Sequence, residues 1–394
     1  MKINLRLFCL ISACLFIISL FLVSCAGIGS SVVYEQILSI IPDNDSNRSS
    51  VTINDYAQMQ KLFQINPPGK DAGTEEQMTY IQNLVSMGSG NLISGKMISP
   101  AAQIGFVNSS SSYFIQSFEL LSNLGLGYWL IDQEAGAGRP PSNISIIKGQ
   151  FDPNKTKQAL VVSAKNDPPA TEIYLGSTIY SWGGKDYEPN LSKRFEPPAY
   201  DMLGRGGRFV FQNNYAFRTN GTPEIKLVID TQKGKQNSLA DVIEYKLLAR
   251  ELSSHSAMTA LLTNQTVSKD YAKRLLTGST DVKVGDIDTY LAQGPKLLPY
   301  QTMALGVAKD EKGFYALVIL VHADSETASK NVDLFKRRME ETTSAITGKN
   351  WTLWFPSSSI TSHGRVLTAK LYGDNVGRTY TDWYYRGDPL LLHE

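Results

Sequence analysis

Cysteine is nearly absent from this chain. Cys9, Cys14 and Cys25 are the only three in 394 residues, and none follows residue 25. A body without thiols forms no internal disulfide, performs no thiolate catalysis and builds no cysteine metal site. An excess of charge of either sign is missing too, with 38 Lys and Arg against 37 Asp and Glu. Such a balance argues against nucleic acid, or a strongly anionic surface, as the main partner. Histidine is sparse. His255, His322, His363 and His393 are the whole set, and none stands in a His-Glu-x-x-His or comparable metal spacing. No Gly-x-Ser-x-Gly elbow occurs. Beyond Leu7 to Val23, no apolar run is long enough to span a bilayer.

That one apolar run is the strongest signal present. Lys2 and Arg6 precede it, and Leu22-Val23-Ser24-Cys25 closes it. A positive start, an apolar middle and small residues at the end make a secretory signal. An uncleaved signal-anchor is the competing reading, because the run is at the short end for a span. The Leu-Val-Ser-Cys motif resembles the lipobox of bacterial lipoproteins. The resemblance implies cleavage before Cys25 and a diacylglycerol on its thiol. It places the protein on a cell membrane, facing outside the cytoplasm. Residues 1–24 are then a signal peptide and 25–31 a lipidated tether, with Gly27, Gly29, Ser30 and Ser31 giving flexibility. Cleavage removes Lys2 and Arg6 and no acid, so the body stays close to neutral.

The body reads as α+β: helix-backed antiparallel sheets, with two ferredoxin-like units after a helical N-terminal segment. In residues 32–99 a short helix ends at Pro42 and Val51 to Ile53 is a strand. Asn54 or Asp55 caps a helix to about Ile65, and Thr74 to Gln77 opens another that ends near Gly88. Residues 100–295 form an α+β unit. Ala102 to Val107 is its first strand, and a helix from Ser112 carries Phe114, Phe118 and Leu121 on one face. Ser145 to Gly149 is a strand, and Asp152-Pro153 starts a helix to about Ser163. Thr171 to Ser181 and Glu224 to Asp230 read as strands, and Arg208 to Arg218 as a hairpin turning at Asn213-Asn214. A helix over Ser238 to Ser254 is capped by Ser238 and Asp241 and buries Ile243, Leu247 and Leu248. Residues 296–394 are the second unit, β-β-α-β with an aromatic tail. Its strands are Thr302 to Ala308, Phe314 to His322 and Arg365 to Tyr372, and its helix runs from Ser325 to about Ser344. Strand, cap and helix follow one another over Ile144 to Leu160 and again over Leu317 to Phe335, a faint internal echo. Gly149-Gln150-Phe151-Asp152-Pro153 and Ser238-Leu239-Ala240-Asp241 are similar to segments of uncharacterised bacterial extracytoplasmic proteins, a resemblance that brings no site with it.

Few residues invite a chemical role. Gly204-Arg205-Gly206-Gly207-Arg208 lacks the Lys-Ser/Thr of a P-loop and opens a strand, so it reads as a turn. Arg205 and Arg208 are still candidates for an anionic group. Asp281, Asp286 and Asp288 depart from calcium-loop spacing. Trp351, Trp354, Trp383 and Tyr384 are candidate ligand-binding residues, because such rings stack on sugars or line apolar clefts. Their plainer role is to seal a core. Tyr380 and Tyr385 belong to the same crowd, and Arg386-Gly387-Asp388 reads as a turn. No cofactor and no metal are expected. The expected function is therefore non-catalytic: a lipid-anchored extracytoplasmic protein that binds an envelope protein, or else a solute or glycan. A carboxylate-dependent hydrolase is the alternative, since its Asp and Glu pairs are invisible without a fold.

Overall fold

The computed structural model describes residues 32–69, 72–73, 75–77, 79–80, 125, 128–163, 167–194, 199–201, 203–280, 282–373, 376–377, 383–384 and 386–394. Cys25, the strand expected at Ala102 to Val107 and the helix expected from Ser112 lie outside them, as does the end of the helix opened at Thr74.

Helices α1 (Val33–Leu38) and α2 (Asp45–Ser49) precede strand β1 (Val51–Asp55) and helix α3 (Tyr56–Phe63). Hairpin β2 (Ile131–Ala137) and β3 (Ile144–Gly149) leads into α4 (Pro153–Ser163). Two further hairpins follow, β4 (Ala170–Tyr174) with β5 (Ser177–Ser181), and β6 (Arg208–Gln212) with β7 (Tyr215–Thr219). Then come α5 (Thr222–Gln232), α6 (Ile243–Ser254), β8 (Thr259–Thr263), α7 (Lys269–Thr277) and α8 (Ile287–Ala292). The chain closes with β9 (Thr302–Asp310), β10 (Gly313–Val321), α9 (Ser325–Glu341), α10 (Trp351–Trp354), β11 (Ser357–His363) and β12 (Val366–Tyr372).

Among the described residues the fold is α+β with one antiparallel sheet. Its 12 strands run β11-β12-β10-β9-β8-β1-β2-β3-β7-β6-β5-β4. β1 sits between β8 and β2. Val51 pairs with Leu262 on one side and Ala137 on the other. The sections read along the chain therefore share one sheet.

Period-2 alternation sends neighbouring side chains to opposite faces. In β9, Met303, Leu305 and Val307 join one core while Ala304 and Ala308 join the other. The first face is covered by α4, α7, α8 and α9, through Leu160, Leu276, Leu291 and Phe335. The second is covered by α1, α5 and α6, through Ile37, Val228 and Leu248. Burial on both faces explains why β10 is apolar along its length, from Tyr315 to Val321.

Four expectations need correction. Glu224 to Asp230 is not a strand but most of α5. Pro223 in its first turn and Glu224 beside the amide end favour a helix, and Ile225, Val228 and Ile229 fall on one helical face. Thr171 to Ser181 is a hairpin, not one strand, turning at Leu175 (φ 48°) and Gly176 (φ 81°). The capping box of Ser238 and Asp241 closes a 3-10 turn, and extended Val242 separates that turn from α6. Ile243 is consequently 53% exposed. The β-β-α-β unit also carries α10 and β11, the latter hidden by its run of serines.

β1 belongs to both halves of the sheet, so weakening it weakens both. Ile53→Ala is expected to cost about 2–5 kcal/mol. Amide hydrogen exchange in β3 and in β9 should speed up together. Loss of protection on one side alone would show that β1 is not shared.

Candidate functional site

Trp351 and Trp383, nominated from sequence, are core residues. Asn350 caps α10 by accepting from the Thr352 amide, which turns Trp351 inward. The Trp351 ring stacks on Trp354 with centroids 5.7 Å apart, and Trp383 meets Trp351 edge-on at 6.1 Å. Phe355 closes the group against Trp383 at 5.8 Å. Trp351 and Trp383 are both 0% exposed, and Trp354 is half-buried. Trp351 Nε1 donates to Thr342 Oγ1 at 3.1 Å. No ring face of Trp351 or Trp383 is left for a ligand, and the sealing role accounts for them. Tyr384 is buried too, and its hydroxyl donates to the Ser49 carbonyl at 3.0 Å, tying the tail to α2. Tyr380 and Tyr385 lie outside the described residues.

The arginines are also committed. Arg205 pairs with Asp201 at 2.6 Å. Arg208 is buried, donates to the carbonyls of Trp182 and Gly206, and pairs with Asp186 at 2.8 Å. The glycines here are steric necessities. A Cβ on Gly204 (φ +68°) would stand 1.7 Å from the Asn190 carbonyl oxygen. The loop is a turn stapled by Arg208, and it leads into β6, which is far in the sheet order from β11, the strand after α10. Asp388 is 0% exposed and accepts from the Ala345 amide at 2.7 Å, so Arg386-Gly387-Asp388 is part of the core.

His255, His322 and His393 read as structural. His322 is 0% exposed, and its Nε2 accepts from the Asn331 amide at 2.7 Å. Asp324 caps α9 rather than serving His322. His255 lies 3.3 Å from the Tyr315 hydroxyl, and His393 bonds Thr266 at 2.8 Å. Asp286 caps α8, Asp288 pairs with Lys273 at 2.6 Å, and Asp281 is outside the described residues. Among the described residues no group of three or more His, Cys, Asp or Glu is arranged to hold a metal ion.

A site not nominated from sequence lies where α3 meets β2. The chain turns from β1 into α3 at Asp55, whose carboxylate accepts from the Gln58 amide and from Gln133 Nε2, both at 3.1 Å. Burial pushes the Asp55 carboxyl above the usual range, and the charge of Asp132 adds to this. Burial raises Asp132 as well. A β-bulge between Ile131 and Gln133 sets Asp132 out of register. Tyr56 donates to buried Glu134 at 2.6 Å. Beyond the far end of α3 opens a cavity of about 850 Å³. Phe63 and Tyr80 give it aromatic walls, Gln64 and Asn66 line it with amides, and Glu75 and Glu76 put carboxylates at its rim. Gln64 ends the helix in the left-handed conformation, φ 55°. Gln60 holds the Tyr80 hydroxyl at 2.6 Å, and burial pushes that phenol up to about 12. Phe63 stacks on Phe314 of β10 at 5.3 Å, which fixes the cavity to the sheet. In the sequence Asp55 caps this helix and Asn66-Pro67-Pro68-Gly69 breaks the chain after it, but no local pattern marks the cavity beyond the break.

The chain matches no protein-family model and no curated protein. It is similar to three solved crystal forms of TP0453. Forms III and I each give 9% identity and a TM-score of 0.36, covering 88% and 87% of this chain and 96% and 94% of that one. Form IV gives 11% identity over 89% of this chain and 98% of that one, again with a TM-score of 0.36. At that score the likeness bears on neither fold nor function.

Burial holds the His322 pKa below its usual 6.5. The unfolded chain then takes up the proton first as pH falls. Stability is full above about pH 6.5 and declines as pH drops towards the folded-state value. Denaturant midpoints between pH 5 and 7.5 should fall less steeply in His322→Gln than in the natural chain. Identical slopes would mean that His322 titrates alike folded and unfolded. Trp383→Ala should cost about 3–5 kcal/mol by urea unfolding. A loss under about 1 kcal/mol would contradict the sealing role.

Proposed function

We propose that this is a lipid-anchored extracytoplasmic binding protein, held to the cell membrane through Cys25 and engaging its partner without catalysis. The leader motif supports the anchor, and the cavity beyond α3 is the observation that carries binding. Acidic rim, aromatic walls and amides suit a ligand with an apolar body and a positive end. A basic segment of another envelope protein has that chemistry. Among the described residues no helix is long and apolar enough to cross a membrane. From Cys25 to Val33 the chain spans at most about 28 Å, so α1 would lie close to the bilayer surface.

The finer architectural reading, two related ferredoxin-like units, belongs to the same proposal. Its support is that β3 leads through Asp152 into α4 as β10 leads through Asp324 into α9. Both helices pack on the same face of the sheet, through Leu160 and Phe335. A hydrolase is the second reading, favoured by one observation: the carboxylates of Asp55 and Asp132 interact where β1 meets β2, and burial raises both.

Cys25→Ala should move the full-length chain from the membrane fraction to the soluble fraction. An uncleaved variant that stays in the membrane would make the leader a transmembrane anchor instead. For the cavity, a Lys-Trp-Lys peptide should bind by calorimetry, and Glu75→Gln with Glu76→Gln should weaken it about tenfold. Binding that ignores both changes would place the ligand elsewhere.

A further inference from the structure

A second cavity, of about 340 Å³, lies at the far end of the sheet from β11. Residues of β5 and β6 and their turns line it together with Pro153, Asn154 and Lys157 of α4 and Lys233 at the end of α5. Two hairpin turns bring these parts together. Gly176 (φ 81°) turns β4 into β5, and Asn213 (φ 51°) turns β6 into β7. Gln212 donates to Ser177 across the strands and fixes the wall.

The lining has a definite chemical bias. Lys157 and Lys233 supply two positive charges, and no Asp or Glu lines the cavity. Lys157 approaches Asn154 Oδ1 at 3.3 Å, and among the described residues neither lysine pairs with a carboxylate. The charge does not come from the α4 amides, because Asp152 already accepts from those of Asn154 and Lys155. Lys233 is the C-cap of α5, with its amide bonded to the Ile229 carbonyl at 3.0 Å, so its position is set by the fold. Tyr180 and Phe211 add two half-buried rings with centroids 6.5 Å apart.

Cations, amides, hydroxyls and aromatic faces together suit one kind of small molecule. We infer that this cavity binds a single anionic sugar unit, a uronic acid or a sugar phosphate. The sugar's C–H face packs on Tyr180 and Phe211, its hydroxyls meet Gln212 and Ser177, and its anion meets Lys157 and Lys233. The volume is at the low end for small-molecule sites, which fits one ring and not a chain of them. This site is separate from the acidic cavity beyond α3 and does not depend on it.

The test is calorimetric titration of the mature chain with glucuronate, glucose 6-phosphate, glucose and inorganic phosphate. At least one anionic sugar should bind, with glucose at least tenfold weaker. The preference between glucuronate and glucose 6-phosphate then names the anion. K157Q/K233Q should lose tenfold or more while its thermal melt stays unchanged. Tyr180→Leu should weaken both anionic sugars and leave inorganic phosphate alone. No binding by either anionic sugar, or equal binding by K157Q/K233Q, would overturn the assignment. Inorganic phosphate binding as tightly as glucose 6-phosphate would overturn the sugar component.

Discussion

The structure depends on β1 being hydrogen-bonded on both sides. Five residues near the start of the described chain join strands that come much later in sequence. Val51 to Asp55 pair with Ala137 to Gln133, and Val51 to Asn54 pair with Leu262 to Thr259. Every backbone group in a buried strand needs a partner. β1 meets that need for two half-sheets at once. It also sends Val51 and Ile53 into one core, and the helices on that face then pack against a continuous surface.

The other face of β1 is polar, and this shapes the site. Thr52 and Asn54 are buried there, as are Glu134 and Thr259 nearby; Asp55 and Gln133, at the end of the strand pair, are buried as well. Burying such groups is costly unless they bond one another. Thr259 donates to Asn54 at 2.8 Å, Gln133 to Asp55, and Tyr56 to Glu134. The network holds the junction of β1 and α3 in one geometry, and α3 in turn carries Phe63 to the cavity wall.

The C-terminal tail closes the opposite part of the first core by a different device. Arg338 is buried, and its Nε donates to the Leu390 carbonyl at 2.9 Å; Pro295 and Pro389 offer carbonyls to its other nitrogens. Burial pulls this guanidinium down to about 10. Asp388 is pinned by Ser344 and Ala345. With the tail fixed in this way, Trp383 docks against Trp351 and Phe355. Trp351, Trp383 and Tyr384 of the aromatic crowd visible in the sequence thus fill the core.

Local rules in the sequence settled the local elements. Asp55, Asp152, Asp324 and the Ser238–Asp241 box each mark a helix or turn start, because a short polar side chain satisfies amides its neighbours cannot. The hairpin at Asn213 was legible because Asn tolerates the positive φ its turn requires. Glu224 to Asp230 was ambiguous, because a short apolar run fits strand and helix alike, and Pro223 was the signal that separates them. The missing cysteines likewise belong to the sequence alone. Tertiary structure decided which strand lies beside which, since backbone ladders form between any two strands that meet. It decided that Arg208 is a staple and that Trp351 is buried. It also placed Lys157 and Lys233, 76 positions apart in the chain, around one cavity. Neighbours so distant in sequence are set by packing, which no local pattern of residues encodes.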